Sequence, residues 1–188
     1  MGLRYQLARL LRDGSFAGHY HLENPATGTT IVTLVNLTNA SLTVAAQPIH
    51  PLTIDILVVD SGASIVAGVV TITGKGAYGQ AQIEAVDCSA GAGTYVGKKP
   101  FSVVTTVVTS GFTVLAGGGD ETIHLHTGLL IGLPCYKLKA VYKTGVDGAY
   151  EATGTVNTTY GTVSPTTAIN GTHDFDFWYT YYPVPEAY

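Results

Sequence analysis

The stretch Leu52–Thr73, LTIDILVVDSGASIVAGVVTIT, decides the fold, because two aliphatic and β-branched runs flank a short polar break. The runs Leu52–Val59 and Ile65–Thr73 each have the length and composition of a β-strand. The break contains Asp60-Ser61-Gly62, residue types that favour a tight turn. The stretch therefore predicts two strands joined by a hairpin turn.

The same pattern continues on both sides of this stretch. Gly-rich or Asp-containing turns at Gly74-Lys75-Gly76, Ser110-Gly111 and Asp147-Gly148 separate further short strands. This regular spacing predicts an all-β, antiparallel β-sandwich of meander or Greek-key type, resembling a jelly roll, as a single domain over residues 29–188. The other predicted strands are Thr30–Leu37, Leu42–Ala46, Ala81–Val86, Phe101–Thr109, Thr113–Ala116, Thr122–His126, Tyr136–Lys143, Ala152–Thr158 and Asp174–Tyr182.

The two ends of the chain have a different pattern. Leucines at i, i+4, i+7 and i+8 predict a short amphipathic helix over residues 2–12, within an N-terminal helix and arm that spans residues 1–28. At the other end, Pro183-Val184-Pro185 stops sheet pairing and predicts an extended tail. Both ends are candidates for binding a partner. The residues concerned are Leu3, Leu7, Leu10, Leu11, Pro183 and Pro185.

Composition narrows the classes of function. Charged residues make up 12% of the 188-residue chain and the net charge is −4, which argues against binding nucleic acid or anionic lipid. No apolar run approaches the roughly 20 residues of a membrane span. Cys88 and Cys135 have no metal-binding or redox spacing, so we expect two reduced thiols.

Gly74-Lys75-Gly76-Ala77-Tyr78-Gly79 matches the pattern G-x-G-x-x-G of dinucleotide-binding sites. That site needs a helix immediately after the glycines, whose N-terminus receives the pyrophosphate. The residues that follow, Gln80–Val86, alternate as in a strand. The motif therefore predicts a glycine-rich hairpin, and we expect no cofactor.

Asp60-Ser61-Gly62, preceded by an aliphatic run, resembles the catalytic loop of retropepsin-like aspartic proteases. Such enzymes hold two Asp carboxylates close enough to share one proton, so this chain would have to dimerise. Leu129-Leu130-Ile131-Gly132 faintly resembles the element that supports that loop. No convincing flap lies between the two segments, so a turn is the favoured interpretation and the protease is the alternative.

Two His-x-His pairs each place two imidazoles on one face of a strand. The pairs are His19 with His21 and His124 with His126, a spacing that can ligate zinc. No third ligand is identifiable from spacing, so we predict no metal and keep His124 and His126 as weak candidates. No G-x-S-x-G motif is present to anchor a hydrolase triad, and we expect no enzymatic activity.

The C-terminal strand is rich in aromatic residues. Phe175, Phe177, Tyr179 and Tyr181 share one face, while Trp178 lies on the other. A core strand is the simplest explanation. An aromatic subunit interface or a platform for host glycans, through Trp178 and Tyr181, is the alternative.

The order of several elements in about two thirds of the chain resembles a loose group of tailed-phage virion proteins. These elements are Val69–Gly74 with Gln80–Glu84, Ala92–Phe101, Val103–Val108, Ile131–Pro134 and Gly154–Val163.

The resemblance implies a non-enzymatic capsid decoration protein, a homotrimer that binds the major capsid protein on the surface of the virion after assembly in the host cytoplasm. A head or tail fibre component that binds host glycans is the structural alternative. The group offers no catalytic residues to transfer to this chain.

Overall fold

The computed structural model describes residues 14–114 and 120–183, and these residues form fourteen strands joined by turns and loops. Every strand pairing among them is antiparallel, so the predicted all-β, antiparallel fold is confirmed. The strands are β1 Phe16–Leu22, β2 Thr30–Asn36, β3 Ser41–Leu42, β4 Leu52–Val59, β5 Ile65–Lys75, β6 Ala81–Asp87, β7 Gly93–Tyr95, β8 Val103–Val114, β9 Thr122–Gly132, β10 Lys137–Val146, β11 Ala149–Glu151, β12 Thr155–Asn157, β13 Thr162–Ser164 and β14 Phe175–Tyr182.

The strands form three sheets. Sheet I has the order β1-β14-β10-β11, and sheet III has the order β3-β8-β5-β6. Sheet II has the order β12-β13-β9-β4-β7, and β2 also pairs with β9. Sheet II supplies residues to the packing of both other sheets.

Two clusters of buried side chains hold the sheets together. One lies between sheets II and III and includes Ile56, Ile72 and Phe101, none of which is exposed to solvent. The other joins sheet I to sheet II and includes Leu52 and Phe177. Leu52 and Ile56 alternate onto the same face of β4, so one strand contributes to both clusters.

The turn at Asp60 is present, but the predicted hairpin is wrong. Strand β4 has the predicted bounds Leu52–Val59 and pairs with β7 and β9 in sheet II. Strand β5 pairs with β6 and β8 in sheet III. The Asp60 turn therefore carries the chain from one sheet to the next across the first cluster, and local sequence cannot distinguish such a crossover from a hairpin.

The predicted turn at Ser110-Gly111 is wrong as well. These residues lie inside β8, where Ala67 pairs with Thr113 and Val69 pairs with Ser110. Two residues of β8 thus face one residue of β5, which is a β-bulge. Gly111 has a φ of +64°, a conformation that glycine tolerates, and glycine is for that reason typical of turns.

The N-terminal part of the chain contributes one strand that the sequence did not predict. Phe16–Leu22, which we assigned to the arm, pairs along its whole length with β14. The predicted helix over residues 2–12 and the tail beyond Pro183 lie outside the described residues. Within residues 14–114 and 120–183, no helix has the length and apolar character that crossing a membrane requires.

The two cysteines are free, as predicted. Cys88 belongs to the cluster between sheets II and III, and Cys135 belongs to the cluster beneath sheet I. Burial raises the pKa of each thiol to about 12. Both side chains therefore act as small apolar core residues.

Candidate functional site

The Asp60 carboxylate stabilises the turn between β4 and β5. Its Oδ1 accepts hydrogen bonds from the backbone N–H and the hydroxyl of Ser64, both at 3.0 Å, and its Oδ2 accepts the N–H of Ile65 at 2.9 Å. These bonds, led by the one from the Ser64 N–H, lower the pKa of Asp60. These contacts hold the Asp60 carboxylate inside the turn, where it binds the backbone of Ser64 and Ile65. The geometry supports the turn interpretation.

Two further carboxylates lie beside Asp60. Carboxylate oxygens of Asp60, Asp120 and Glu121 all lie within 4.8 Å of one another. The Ser64 hydroxyl lies between Asp60 and Glu121 and hydrogen-bonds to both. Among the described residues, this is the group of three that could offer oxygen ligands to Ca²⁺ or Mg²⁺.

His124 and His126 share one face of β9, as predicted, and their rings stack with centroids 5.3 Å apart. Burial lowers the pKa of His124. Asp55 lies directly opposite His126 on β4, and burial raises the pKa of this carboxyl. No His, Cys, Asp or Glu in the described ranges completes a set of three ligand atoms with both histidines within 4.8 Å.

The other histidine pair meets a carboxylate. His19 and His21 lie on β1, and both reach the same oxygen of Asp176 on β14, at 2.8 and 3.0 Å. The Asp176 side chain is 17% exposed. The spacing that suggested a metal site thus supports a hydrogen-bonded pair across two strands.

Aromatic and cationic groups extend this cluster over the outward face of sheet I. The ring of His19 stacks on Trp178 with centroids 4.7 Å apart. The ammonium of Lys143 lies 4.7 Å from the centre of the Trp178 ring and 3.6 Å from that of Tyr150. We call this set the sheet I network. It comprises His19, His21, Lys143, Tyr150, Asp176 and Trp178.

The aromatic residues of β14 alternate as predicted. Phe175, Phe177 and Tyr179 are buried in the cluster beneath sheet I, and Tyr181 packs against the same cluster. Trp178 lies on the opposite face, where His19 and Lys143 contact it. A single glycan could not stack on both Trp178 and Tyr181, because the two rings lie on different faces of one strand.

The glycine-rich motif forms the tip of the hairpin between β5 and β6, as predicted. The N–H of Gly76 donates to the carbonyl of Gln80, and the strand β6 follows. Gly74 has no space for a side chain, because an added Cβ would lie 1.9 Å from the carbonyl oxygen of Val103. Close packing of two strands explains this glycine.

The outward face of sheet III is poor in charge. Val108 is paired with Thr71, which is paired with Ala85 on the next strand, and Thr73 links Thr106 to Ile83 in the same way. Ile83 is 56% exposed and Val108 is 37% exposed. We call this surface the sheet III face. It comprises Ser41, Val69, Thr71, Thr73, Ala81, Ile83, Ala85, Val103, Thr106, Val108 and Ser110, with Lys75 and Asp87 at its margins.

The predicted contact residues at the termini are mostly outside the described residues. This holds for Leu3, Leu7, Leu10, Leu11 and Pro185. Pro183 is exposed and directly follows the last residue of β14. Their role in binding a partner stays a prediction.

Several residues of these sites had no signal in the sequence. Asp55, Ser64 and Glu121 lie within or beside apolar runs, and each has a hydrogen-bond partner that is distant in sequence. Lys143 reaches Trp178 because β10 carries two bulges opposite β14. Such contacts depend on strand register, which residue types do not encode.

The search for similar proteins gives no family name. No protein-family model, no curated protein and no solved structure matches this chain.

Proposed function

We propose that this chain is a non-enzymatic structural protein of a tailed-phage virion, which decorates the capsid and contacts the major capsid protein through the sheet III face. The resemblance in sequence suggests the virion. The observation that carries the proposal is a sheet face of Thr, Val, Ala and Ile side chains, several of them exposed, with charges only at its margins.

The chemistry of this face is that of an interface core. Charged residues are depleted at the centre of protein interfaces, because each buried charge must be desolvated. Val108 at the centre of the face can lose its water at little cost, and the hydroxyl of Thr71 can exchange its water for a hydrogen bond to the partner. Lys75 and Asp87 lie at the margins of the face, where they can stay hydrated when a partner binds.

The size of the face suggests that other segments contribute to attachment. Three strands spaced about 4.8 Å apart, with some seven residues each, cover roughly 300 Å², and the two residues of β3 add little. A stable interface buries about 800 Å² on each partner. The N-terminal leucines and the tail from Pro183 onward would supply the remainder, as an arm that clamps neighbouring capsid subunits.

The function would be mechanical. Burial of apolar area contributes about 25 cal/mol per Å², so even a modest face contributes several kcal/mol for each copy. Trimers at the threefold positions of a capsid lattice would repeat that contribution many times and help the shell to resist the pressure of packaged DNA.

The test is binding to heads prepared without this protein. Ile83→Lys places a charge on the sheet III face, and Leu34→Lys is its matched control, since Leu34 is also an exposed strand residue, at 62%, but lies on β2 of sheet II. We expect wild type and Leu34→Lys to bind alike and Ile83→Lys to bind at least 100-fold more weakly. Failure of wild type to bind, or equal binding by all three proteins, would overturn the proposal.

A further inference from the structure

A cleft lies where the tip of the β5–β6 hairpin meets the segments 133–138 and 158–161. Its volume is about 310 Å³, which is within the range of sites for small ligands. Three tyrosines, two glutamines and two lysines are among its lining residues. The cleft includes the tip of the glycine-rich hairpin, through Ala77, Tyr78 and Gln80, but no residue of the Asp60 turn, the histidine pairs or the sheet I network lines it.

The tyrosines give the cleft aromatic walls. Tyr78 and Tyr136 meet edge to face with ring centroids 6.3 Å apart, and they are 38% and 45% exposed. Tyr160 lines the cleft from the turn between β12 and β13. A phenol combines an apolar ring face with a polar hydroxyl, so it suits a ligand with C–H faces and hydroxyl edges, which describes a pyranose.

The glutamines are held in place before any ligand binds. The Gln80 side chain accepts the N–H of Tyr78 at 3.2 Å and donates to the Gln82 carboxamide at 3.2 Å. Gln82 in turn donates to the carbonyl of Pro100. Fixed amides lose little side-chain entropy on binding, and their remaining hydrogen-bonding capacity faces a cleft that also contains the hydroxyls of Thr158 and Thr159.

The charge of the cleft differs from that of the chain. The chain has a net charge of −4, yet the charged residues that line the cleft are Lys99 and Lys137, with no carboxylate among them. The ammonium of Lys99 is anchored on the carbonyl of Ile83 at 2.7 Å. The cleft therefore favours a ligand with a negative charge beside its hydroxyl groups.

We propose that this cleft binds a short saccharide that carries a carboxylate, with its C–H faces against Tyr78 and Tyr136, its hydroxyls on Gln80 and the two threonines, and its carboxylate near Lys99 and Lys137. This binding is independent of attachment to the capsid, because the cleft shares no residue with the sheet III face. It would give the protein a contact with a glycan as well as with the shell.

The experiment is titration of the full chain with two matched pairs of probes. 3′-Sialyllactose is compared with lactose, and tetragalacturonate with the neutral tetrasaccharide maltotetraose. We expect at least one carboxylated probe to bind at least tenfold more tightly than its neutral counterpart, by calorimetry. No binding of either acidic probe at millimolar concentration, or equal binding of acidic and neutral probes, would overturn the proposal.

Variants locate the binding in the cleft. We expect Tyr136→Ala to weaken binding at least tenfold and Lys137→Gln to remove most of the preference for the carboxylate. Tyr142→Ala is the matched control, because Tyr142 is 57% exposed and does not line the cleft. Thermal unfolding of each variant verifies that it is folded. A loss as large in Tyr142→Ala as in Tyr136→Ala would contradict the assignment.

Discussion

The outward faces of sheets I and III are built on the same principle of alternation, yet they differ in how their side chains find partners. In the sheet I network, every member contacts another member, through the Asp176 carboxylate, the Trp178 ring or the Lys143 ammonium. On the sheet III face, no side-chain hydrogen bond joins the central residues described here. Thr71, Thr73 and Val108 lie directly opposite residues of adjacent strands.

This difference has a physical consequence for binding. A partner that approached sheet I would have to break hydrogen bonds and cation–π contacts before it could form new ones. A partner that approached the sheet III face would displace only water from small uncharged groups. The outward face of sheet I therefore stabilises its own sheet, whereas the sheet III face is suited to an interface.

The largest expected effect concerns the thiols beneath the two faces. Cys88 lies under sheet III and Cys135 under sheet I, and a pKa of about 12 leaves each about 1000-fold less ionised at pH 8 than a thiol of pKa 9. We expect both to react with iodoacetamide at least 1000-fold more slowly than free cysteine, and at full rate in urea. Mass spectrometry of the labelled peptides measures the two sites separately. Rapid labelling of Cys88 in the folded protein would show that its sheet opens readily, whereas rapid labelling of Cys135 would show that the reagent reaches this thiol through the cleft beside Tyr78.

The strands could be predicted where local residues alone determine them. Leu52–Val59 has the predicted bounds, because a mostly aliphatic run begins after Pro51 and ends before Asp60-Ser61-Gly62. The hairpin at Asp147-Gly148 is present because both residues adopt positive φ, at 50° and 80°, which suits a two-residue turn.

Predictions failed where the partner strand determines the structure. Ser110-Gly111 has the composition of a turn, but β8 continues through it because β5 pairs with residues on both sides. Phe16–Leu22 contains no Val, Ile or Thr, and its strand forms because β14 offers a complete partner. Pairing over more than 150 positions depends on global packing, which local propensity does not report.

The candidate sites were less predictable than the strands. The pattern of β14 correctly placed Phe177 in the core and Trp178 on the outward face, because alternation is a local property. The cleft beside Tyr78 could not be predicted, since it forms from four segments that are distant in sequence. The sequence shows which residue types are present, but it does not show that they lie together in one cleft.

A smaller effect tests whether the sheet I network stabilises the protein. We expect Trp178→Ala to lower the free energy of unfolding by about 2 kcal/mol, because it removes the stacking of His19 and the contact with Lys143. Val108→Ala on the sheet III face should cost less than about 1 kcal/mol, since a strand residue that is partly exposed loses little packing. Urea unfolding of both variants is followed by circular dichroism, because Trp178 is the sole tryptophan and its replacement removes the fluorescence signal. Equal losses would remove the distinction between the faces.

The smallest expected effect is a pH-dependent change in the free energy of unfolding. It is tested at one carboxylate from each outer sheet. Asp147 closes the β10–β11 turn of sheet I, where its two oxygens contact Nδ1 of His173 at 2.7 Å and the N–H of Asp174 at 2.9 Å. These contacts, with that of His173 the larger, lower the pKa of Asp147 below its ordinary value of 3.8. A lowered pKa in the folded state stabilises the protein above pH 3.8, and this contribution is lost as the pH falls through the folded value.

We therefore expect Asp147→Asn to be less stable than wild type at pH 7 and the difference to shrink as the pH falls below 3.8, as measured by urea unfolding at pH 7 and pH 2.5. Asp87→Asn is the control from sheet III, where the pKa of Asp87 is lowered by hydrogen bonds from Ser89, two residues along the chain. A contact so local also forms in part in the unfolded chain, so the difference at pH 7 should be smaller for Asp87→Asn. A difference for Asp147→Asn that stays constant between pH 7 and pH 2.5 would show that the charge of this carboxylate does not hold sheet I to the segment before β14. The stacking of His19 on Trp178 would then be the main contribution of the outward face to the stability of sheet I.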